Sequence, residues 1–152
     1  MIGNPALRAE RPVAVVRQGR ASWLVSARGR VMRSVETGAE PKYPRLWVDR
    51  GVALELGGLL TGTLARTTGA LAVLASSPLA GRVQTARLED DGLTLVLKNG
   101  VTLLCGRLAG LDLKLAVADR VLAEVVNIGP DSYLDVTVPE RPVGHFNPKL
   151  EG

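Results

Sequence analysis

The residues that most often act as nucleophile or general base each occur once in this chain of 152 residues, as Cys105 and His145. A single thiol excludes an internal disulfide and a multi-thiolate metal site, and a lone histidine leaves little for general-base chemistry. Cys105 falls on the inward face of a predicted hairpin strand, so we expect a small core residue instead of a reactive thiol. His145 falls in a proline-rich tail, where we expect it to be exposed.

Three consecutive carboxylates, Glu89, Asp90 and Asp91, form the one further cluster suited to acid–base catalysis. They stand directly before Gly92, and Asp-Gly is in the first place a turn signal. The chain also lacks the GxGxxG, GxxxxGK[ST], HExxH and GxSxG motifs. We therefore predict no enzyme, no cofactor and no metal. An enzyme that uses these carboxylates is the third of three hypotheses, and it requires a pocket that holds at least two of them.

Charge is distributed unevenly along the chain. Residues 1–50 hold 10 Lys and Arg against 4 Asp and Glu, a net charge of +6, whereas residues 51–152 hold 9 against 11, a net charge of −2. Such an excess attracts phosphate backbones or anionic lipid. The basic residues fall among strand and turn positions, however, with no aromatic platform for stacked bases. A solvated basic surface and a binder of nucleic acid or anionic lipid through the Arg-rich first third both stay open; the binder predicts steep salt dependence.

The elements that position these residues are read from periodicity and turn signals. The length suits one compact domain, and no apolar run reaches the roughly 18 residues of a membrane span. Short strands bounded by glycine are predicted at 12–17, 22–26 and 30–33, with an extended piece at 46–48. A helix is predicted in the second half of 54–75, because apolar residues recur there at helical spacing: Leu60, Leu64, Thr67, Leu71 and Leu74.

The second half of the chain has the clearer pattern. Strands are predicted at 82–88, 93–98 and 101–105, and Asn99-Gly100 is expected to supply both positive-φ positions of a type I′ hairpin. A helix at 111–126 presents an apolar stripe with Lys114 off it, and the last strand is predicted at 133–138. This order predicts an α+β fold with a mostly antiparallel sheet and two helices packed on one face.

The last predicted strand is followed by Pro139 and Pro142. Proline has no N–H and is confined to sheet edges or strand ends, so this strand is expected to lie at an edge or to run out past one. An edge is either blunted, here by its prolines, or used to pair with an extended segment of a partner. The residues alone leave both alternatives open.

Four segments, in order, resemble the FtsQ/DivIB family of bacterial cell-division proteins. Residues 10–15 and 23–31 resemble the "ERRPVA…YLVDADGVVF" opening of that family's β domain, and residues 43–46 are similar to its "LPxL". Residues 93–100, with 112–116 and 121–122, resemble "GLxLxLxNGxxVxLG…DLxxKLxxLxxVL". Residues 133–142 are similar to the closing "YIDLRVPDRPVV".

This resemblance implies a bitopic divisome protein with a membrane helix and a POTRA domain before the β domain, acting on the extracytoplasmic face of the bacterial inner membrane at the division septum. It implies no enzymatic activity and no nucleic-acid partner. The implied role is a scaffold that gathers FtsB and FtsL and helps control septal peptidoglycan synthesis, and that takes up a segment of FtsB by strand addition. Membrane attachment would come only from an N-terminal anchor that this sequence lacks.

Carried over by position, residues 133–138 become the penultimate element, with Phe146 as an aromatic anchor. The partner-binding residues are then Tyr133, Val138, Glu140, Arg141, Val143 and Phe146. Residues 1–10 are predicted to be a remnant of an upstream linker or POTRA end, 11–143 the β domain, and 144–152 a C-terminal tail; a fragment, a misassigned start and a stand-alone remnant all stay open. We expect removal of the tail after Val138 to weaken partner binding and to leave the fold largely intact.

Overall fold

A computed structural model describes residues 10–36 and 42–149 of the chain. The chain divides into two compact units, residues 1–72 and 73–152, with the boundary inside a helix. The described residues form nine strands and two helices, and five of the seven strand pairings within the units are antiparallel. The predicted α+β class with mostly antiparallel strands is therefore confirmed.

The first unit contains a four-stranded sheet in the order β3-β2-β1-β4. Its strands are β1 (Pro12–Gln18), β2 (Ala21–Ser26), β3 (Val31–Val35) and β4 (Arg45–Trp47). The β1-β2-β3 meander is antiparallel, as its glycine-bounded runs predict, and β4 lies parallel to β1. Val15, Leu24 and Val35 form a buried cluster on one face of this sheet, with Met32 packed against it.

Helix α1 (Gly62–Ala75) runs from the first unit into the second. Its predicted stripe is confirmed in part: Thr67, Leu71 and Leu74 are buried and Leu64 is half-buried, whereas Leu60 is buried but lies before the helix. Two buried threonine hydroxyls bond within the helix, because the side chain of Thr67 donates to a carbonyl one turn back at 2.7 Å and that of Thr68 does so at 2.9 Å. The helix therefore buries hydroxyls without leaving a donor unpaired.

The second unit contains a five-stranded sheet in the order β5-β6-β7-β8-β9. Its strands are β5 (Val83–Glu89), β6 (Gly92–Leu97), β7 (Thr102–Gly106), β8 (Tyr133–Asp135) and β9 (Val143–His145). Helix α2 (Leu111–Glu124) connects β7 to the parallel strand β8 and packs against β7. The alternation of β6 and β7 is confirmed, because their inward residues are all buried: Leu93, Leu95, Leu97, Leu103 and Cys105.

The hairpin turns differ from the sequence prediction. Asp90 and Asp91 have φ angles of 48° and 63° and join β5 to β6, so they have the two positive φ angles of a type I′ turn. At the next turn only Gly100 has a positive φ, of 92°. There a three-residue connection, Lys98–Gly100, is closed by bonds of 2.9 Å between Leu97 and Val101 and between Gly100 and Leu97. The type I′ prediction for Asn99-Gly100 is wrong. Lys98 belongs to the turn and not to β6, and a three-residue connection is typically a type I turn followed by a left-handed residue, here Gly100.

Lys114 is the clearest departure from the helical pattern. The sequence places it off the apolar stripe of α2, yet it is only 6% exposed. Its Nζ donates to the carbonyl of Arg107 at 2.6 Å, in the loop that precedes the helix. The aliphatic stem of a lysine can cover apolar surface while its ammonium finds an acceptor, which is the arrangement found here.

Candidate functional site

Strand β8 has a neighbour on each side, although the sequence places it at an open edge. It is parallel to β7 on one side and antiparallel to β9 on the other, with Tyr133 opposite His145 and Asp135 opposite Val143. The edge prediction for this strand is therefore wrong, and β8 is the penultimate strand of its unit, the position that the family resemblance implies. The segment that contains Pro139 and Pro142 reverses the direction of the chain and does not blunt an edge. In this turn the amide of Arg141 donates to the carbonyl of Val138 at 2.9 Å.

Sequence reasoning missed β9 itself. The sequence places residue 143 at the end of the β domain and residues 144 and 145 in the tail, because three residues are too few to show a period of two. The predicted strand at 133–138 is in turn shorter than expected, because β8 ends at Asp135. The one signal available was the preceding Pro142, which suits the start of an edge strand.

The outer edge of β9 carries backbone groups that turn away from the sheet. Ser132 and Val136 both bond to β7 at 2.9 Å, so Tyr133 and Asp135 direct their backbone groups toward β9. Since successive residues of a strand alternate, Gly144 directs its N–H and C=O to the opposite side. Within the described residues the strand order ends there, so an edge is open one strand further out than the sequence predicts.

Aromatic side chains flank this edge on both faces of the sheet. The ring of Tyr133 stacks on that of His145, with centroids 5.8 Å apart and planes at 24°. On the other face the half-buried ring of Phe146 covers Gly144, and a Cβ at position 144 would collide with it. Glycine at 144 therefore allows Phe146 to fold back over the strand; Phe146 is not enclosed in the core.

The structure brings together three of the six predicted partner-binding residues. Tyr133, Val143 and Phe146 lie on or directly after the β8–β9 pair. Val138, Glu140 and Arg141 lie in the turn that connects the two strands, and all three are exposed. No observation here tests their role in binding, so they stay predictions.

A buried serine, Ser132, holds the end of β9 in place by hydrogen bonds, and the sequence analysis does not identify it. Ser132 is 1% exposed; its hydroxyl donates to the carbonyl of Gly129 at 2.8 Å and accepts the amide of Asn147 at 2.9 Å. Further backbone bonds join Asn147 to Gly129 at 2.7 Å and Lys149 to Asn127 at 2.8 Å. The segment after β9 is therefore held by the loop before β8, which fixes the position of the open edge.

A cavity of about 320 Å³ lies at one end of the β5–β8 sheet, lined by two of the three candidate catalytic carboxylates, Glu89 and Asp90. Glu89 lies 3.4 Å from the guanidinium of Arg87, and Asp90 belongs to the tight turn described above. Asp135 also lines the cavity, but no histidine, cysteine or lysine does. The cavity meets the geometric condition set for an enzyme, and the hydroxyl-bearing residues Thr94 and Thr137 line it beside the carboxylates.

Cys105 is fully buried, as predicted for a core residue. Burial raises the pKa of its thiol to about 12; the charge of Lys114 opposes this rise in pKa and that of Asp135 adds to it. The thiol therefore stays protonated at neutral pH and is a poor nucleophile. No group of three or more His, Cys, Asp or Glu within residues 10–36 and 42–149 is placed to hold a metal ion.

Some arginines of the basic first third have structural partners. Arg30 forms an ion pair of 2.8 Å with Glu10, whose side chain is almost fully buried. The guanidinium of Arg17 lies 5.3 Å from the ring centroid of Trp47, a cation–π geometry. Part of the positive charge therefore stabilises the first unit instead of facing a ligand.

None of the helices in the described part of the chain combines the length and the apolarity that a membrane crossing requires.

Comparison with known proteins identifies the family. The profile of the family described as "Cell division protein FtsQ/DivIB, C-terminal" matches residues 14–137, which are 124 of the 152 residues. The chain belongs to the FtsQ/DivIB C-terminal family. The resemblance seen in the sequence is therefore confirmed, and with it a place among cell-division proteins. The FtsQ/DivIB match ends at Thr137, so β9 and its open edge lie beyond it.

Solved structures include a relative of similar description. The chain is similar to the major extracytoplasmic domain of the trans isomer of the cell-division protein DivIB from Geobacillus stearothermophilus, at 18% identity and a TM-score of 0.45, over 76% of this chain and 97% of that one. No curated protein matches the chain.

Proposed function

We propose that this domain is a non-enzymatic scaffold of the bacterial division machinery that binds partner division proteins of the FtsB and FtsL type by strand addition at the outer edge of β9. The observation that carries the proposal is the open edge at Gly144, flanked by aromatic rings and fixed by Ser132. Family membership supports the cell-division role.

An added strand obtains affinity from main-chain hydrogen bonds and specificity from side-chain contacts beside the edge. Here Pro142 and Pro148 limit the ladder to a few residues. Tyr133 and Val143, which are 39% and 57% exposed, offer apolar surface on one face, and Phe146 offers it on the other. We expect the bound segment to be short, extended and apolar at alternate positions.

The proposal includes the setting of this interaction. The domain acts on the extracytoplasmic face of the inner membrane at the division septum, attached through an N-terminal membrane anchor. By gathering its partners there it helps control septal peptidoglycan synthesis. It carries out no chemistry itself, in keeping with the buried, protonated thiol of Cys105.

Titration of the chain with the extended segment of its cognate FtsB tests strand addition directly. Alternate backbone amides of that peptide are N-methylated in two matched sets, one facing β9 and one facing away. Strand addition predicts that the first set weakens binding by at least about fivefold per amide, the equivalent of one net hydrogen bond, and that the second set leaves affinity unchanged. Equal effects of the two sets, or no binding of the unmodified peptide, would overturn the proposal.

A further inference from the structure

The first unit also has a sheet edge, formed by β3, and this edge is only partly covered. The segment 57–60 bonds beside the start of β3: the amide of Val31 donates to Gly58 at 2.9 Å, and the amide of Leu60 donates to Gly29 at 2.7 Å. Arg30 and Leu59 form the bridge between these bonds. The cover ends at Val31, and within the described residues no strand lies beside the rest of β3.

The direction of the remaining backbone groups follows from the bonds of β1. The backbone groups of Val15 and Arg17 bond to the β4 side at 2.9 Å each, so those of Val16 bond to β2. Trp23 is the β2 partner of Val16. Because neighbouring residues of a strand alternate, the residues on either side of Trp23 direct their backbone groups toward β3.

Those two residues of β2, Ser22 and Leu24, have Val35 and Arg33 as their partners in β3. Ser34 lies between these partners, so its N–H and C=O point away from the sheet. Ser34 is also exposed. The edge from Met32 to Glu36 therefore presents a donor and an acceptor in strand geometry.

A small cavity, lined in part by Val31, adjoins this edge. It measures about 110 Å³ and, apart from Glu55, is lined by backbone and aliphatic side chains, those of Val31, Ala53, Leu54, Leu59 and Leu60 among them. Val31 pairs with Val25, and Arg33 pairs with Leu24. Since consecutive residues of β2 point to opposite faces, the cavity side of β3 and the Arg33 side are opposite faces of the sheet.

Charge indicates what kind of segment fits. The side chains of Arg28 and Arg33 are exposed, and neither guanidinium has a hydrogen bond or ion pair within the described residues. The first fifty residues carry a net charge of +6. A second copy of the chain would place two such surfaces against each other, whereas an acidic segment is attracted. Nucleic acid offers phosphate acceptors and base N–H donors, but it has no main chain that alternates donor and acceptor at the spacing of a strand.

We propose that the edge Met32–Glu36 binds an extended acidic peptide segment of a partner protein. An aliphatic side chain of the segment occupies the cavity beside Val31. An acidic side chain that points to the opposite face of the segment pairs with Arg33. Glu36 and Glu55 are exposed near the two ends of the edge and would repel an acidic side chain placed there. The acidic side chain of the segment is therefore expected beside Arg33. This site is separate from β9 and does not depend on the function proposed above.

A blocked heptapeptide of alternating valine and aspartate is the probe, and amide chemical shifts of the isotope-labelled chain are the readout. We expect saturable shifts at residues 32–36 and 57–60 and none at 143–145. A peptide of alternating valine and lysine is the matched control and should leave these amides unchanged. Equal response to both peptides, or shifts confined to 143–145, would overturn the proposal, as would a concentration-dependent dimer without peptide or a stronger response to heparin than to the acidic peptide.

Three pairs of variants separate the elements of the site. Ser34→Pro removes the outward N–H and should weaken peptide binding about fivefold, whereas Ser34→Ala keeps this N–H and should bind normally. Ala53→Met fills the cavity and should weaken binding, whereas the neighbouring Val52→Met should not. Arg33→Glu should abolish binding; Arg20→Glu, with the same change in net charge, should reduce it far less. Equal effects within the second and third pairs would contradict the proposed site even if Ser34→Pro fails to fold.

Discussion

The sheet edges of β9 and β3 both expose outward backbone N–H and C=O groups, but the side chains beside the two edges differ. The β9 edge is three residues long, lies between Pro142 and Pro148, and is flanked by aromatic rings. The β3 edge is partly covered by the chain itself, adjoins a small cavity, and belongs to the basic part of the sequence. Main-chain groups provide strand pairing at either edge, so the side chains beside each edge must decide which segment binds.

Each edge is also protected against unspecific pairing in its own way. An unpaired edge is a template for aggregation unless it is short, charged, bulged or covered. β9 is short and follows a proline. β3 carries the exposed Arg33, has a register shift opposite Leu24 and Val25, and is covered at its start by residues 57–60. Both edges are thus restricted to a few residues, which favours selective over indiscriminate pairing.

The largest effect is expected from truncation after Val138, which removes β9 and the segment fastened by Ser132. This change exposes the edge of β8 and leaves the buried Ser132 hydroxyl without its Asn147 partner. We expect the free energy of unfolding to fall by about 3 kcal/mol or more, measured by urea denaturation, contrary to the expectation from sequence that the fold stays largely intact. Truncation after Lys149 removes none of the described residues and is the control; equal stability of both truncated chains would show that β9 is dispensable.

Phe146→Ala tests the aromatic flank of β9. We expect affinity for the FtsB segment to fall by a factor of ten or more, because aromatic anchors beside an interface commonly contribute about 2 kcal/mol. Binding of the acidic heptapeptide at β3 should stay unchanged. Val126→Ala, at a side chain that is 86% exposed, is the control for both titrations. Unaltered FtsB affinity of Phe146→Ala would remove this residue from the site.

Ser132→Ala tests the hydrogen bonds that hold the end of β9, and Ser34→Ala on the open edge of β3 is the comparison. Loss of a buried hydroxyl that donates one bond and accepts another should lower the free energy of unfolding by about 1–2 kcal/mol. Ser34→Ala removes an exposed hydroxyl and should change it by less than about 0.5 kcal/mol. Thermal and urea denaturation measure both. Similar losses in the two variants would mean that the hydrogen bonds of Ser132 contribute nothing specific.

The smallest effect concerns alkaline pH. The thiol of Cys105 is an acid whose pKa rises from 9.0 in the unfolded reference to about 12 on folding, so its contribution to stability is complete below pH 9 and is lost as pH rises toward 12. Between pH 8 and pH 10 we expect a loss of about 1 kcal/mol, absent in Cys105→Ala. Because this is the only cysteine, a thiol reagent reports opening of the second unit alone. Identical pH profiles of the two proteins would contradict the proposed cause.

Local pattern predicted most of the elements. The alternation of β6 and β7 and the helical spacing of α1 and α2 gave the correct element types, because burial of one face selects the period directly. Lys114 was misplaced, since its stem is long enough to leave the polar face and reach the Arg107 carbonyl. The turn at Asn99-Gly100 was mistyped, because its geometry depends on where the flanking strands pair and not on the dipeptide alone.

The candidate site was harder to predict than the fold. The six partner-binding residues came from a family resemblance, and the structure collects three of them around β8 and β9. β9 and Ser132 were missed, since a three-residue strand has no readable period and a serine in a turn looks like ordinary turn chemistry. The β3 edge likewise left no signal in the sequence beyond a glycine-bounded run.

The sequence by itself determined most of the segments that form strands and helices, that Cys105 is a core residue, and that the chain resembles a family of cell-division proteins. Only the tertiary structure decided which edges are open, which face each flanking side chain occupies, and which polar groups are buried with partners. The physical reason is that strand and helix periods are properties of neighbouring residues, whereas an edge is defined by the strand that does not pair with it. That depends on contacts between residues far apart in the chain.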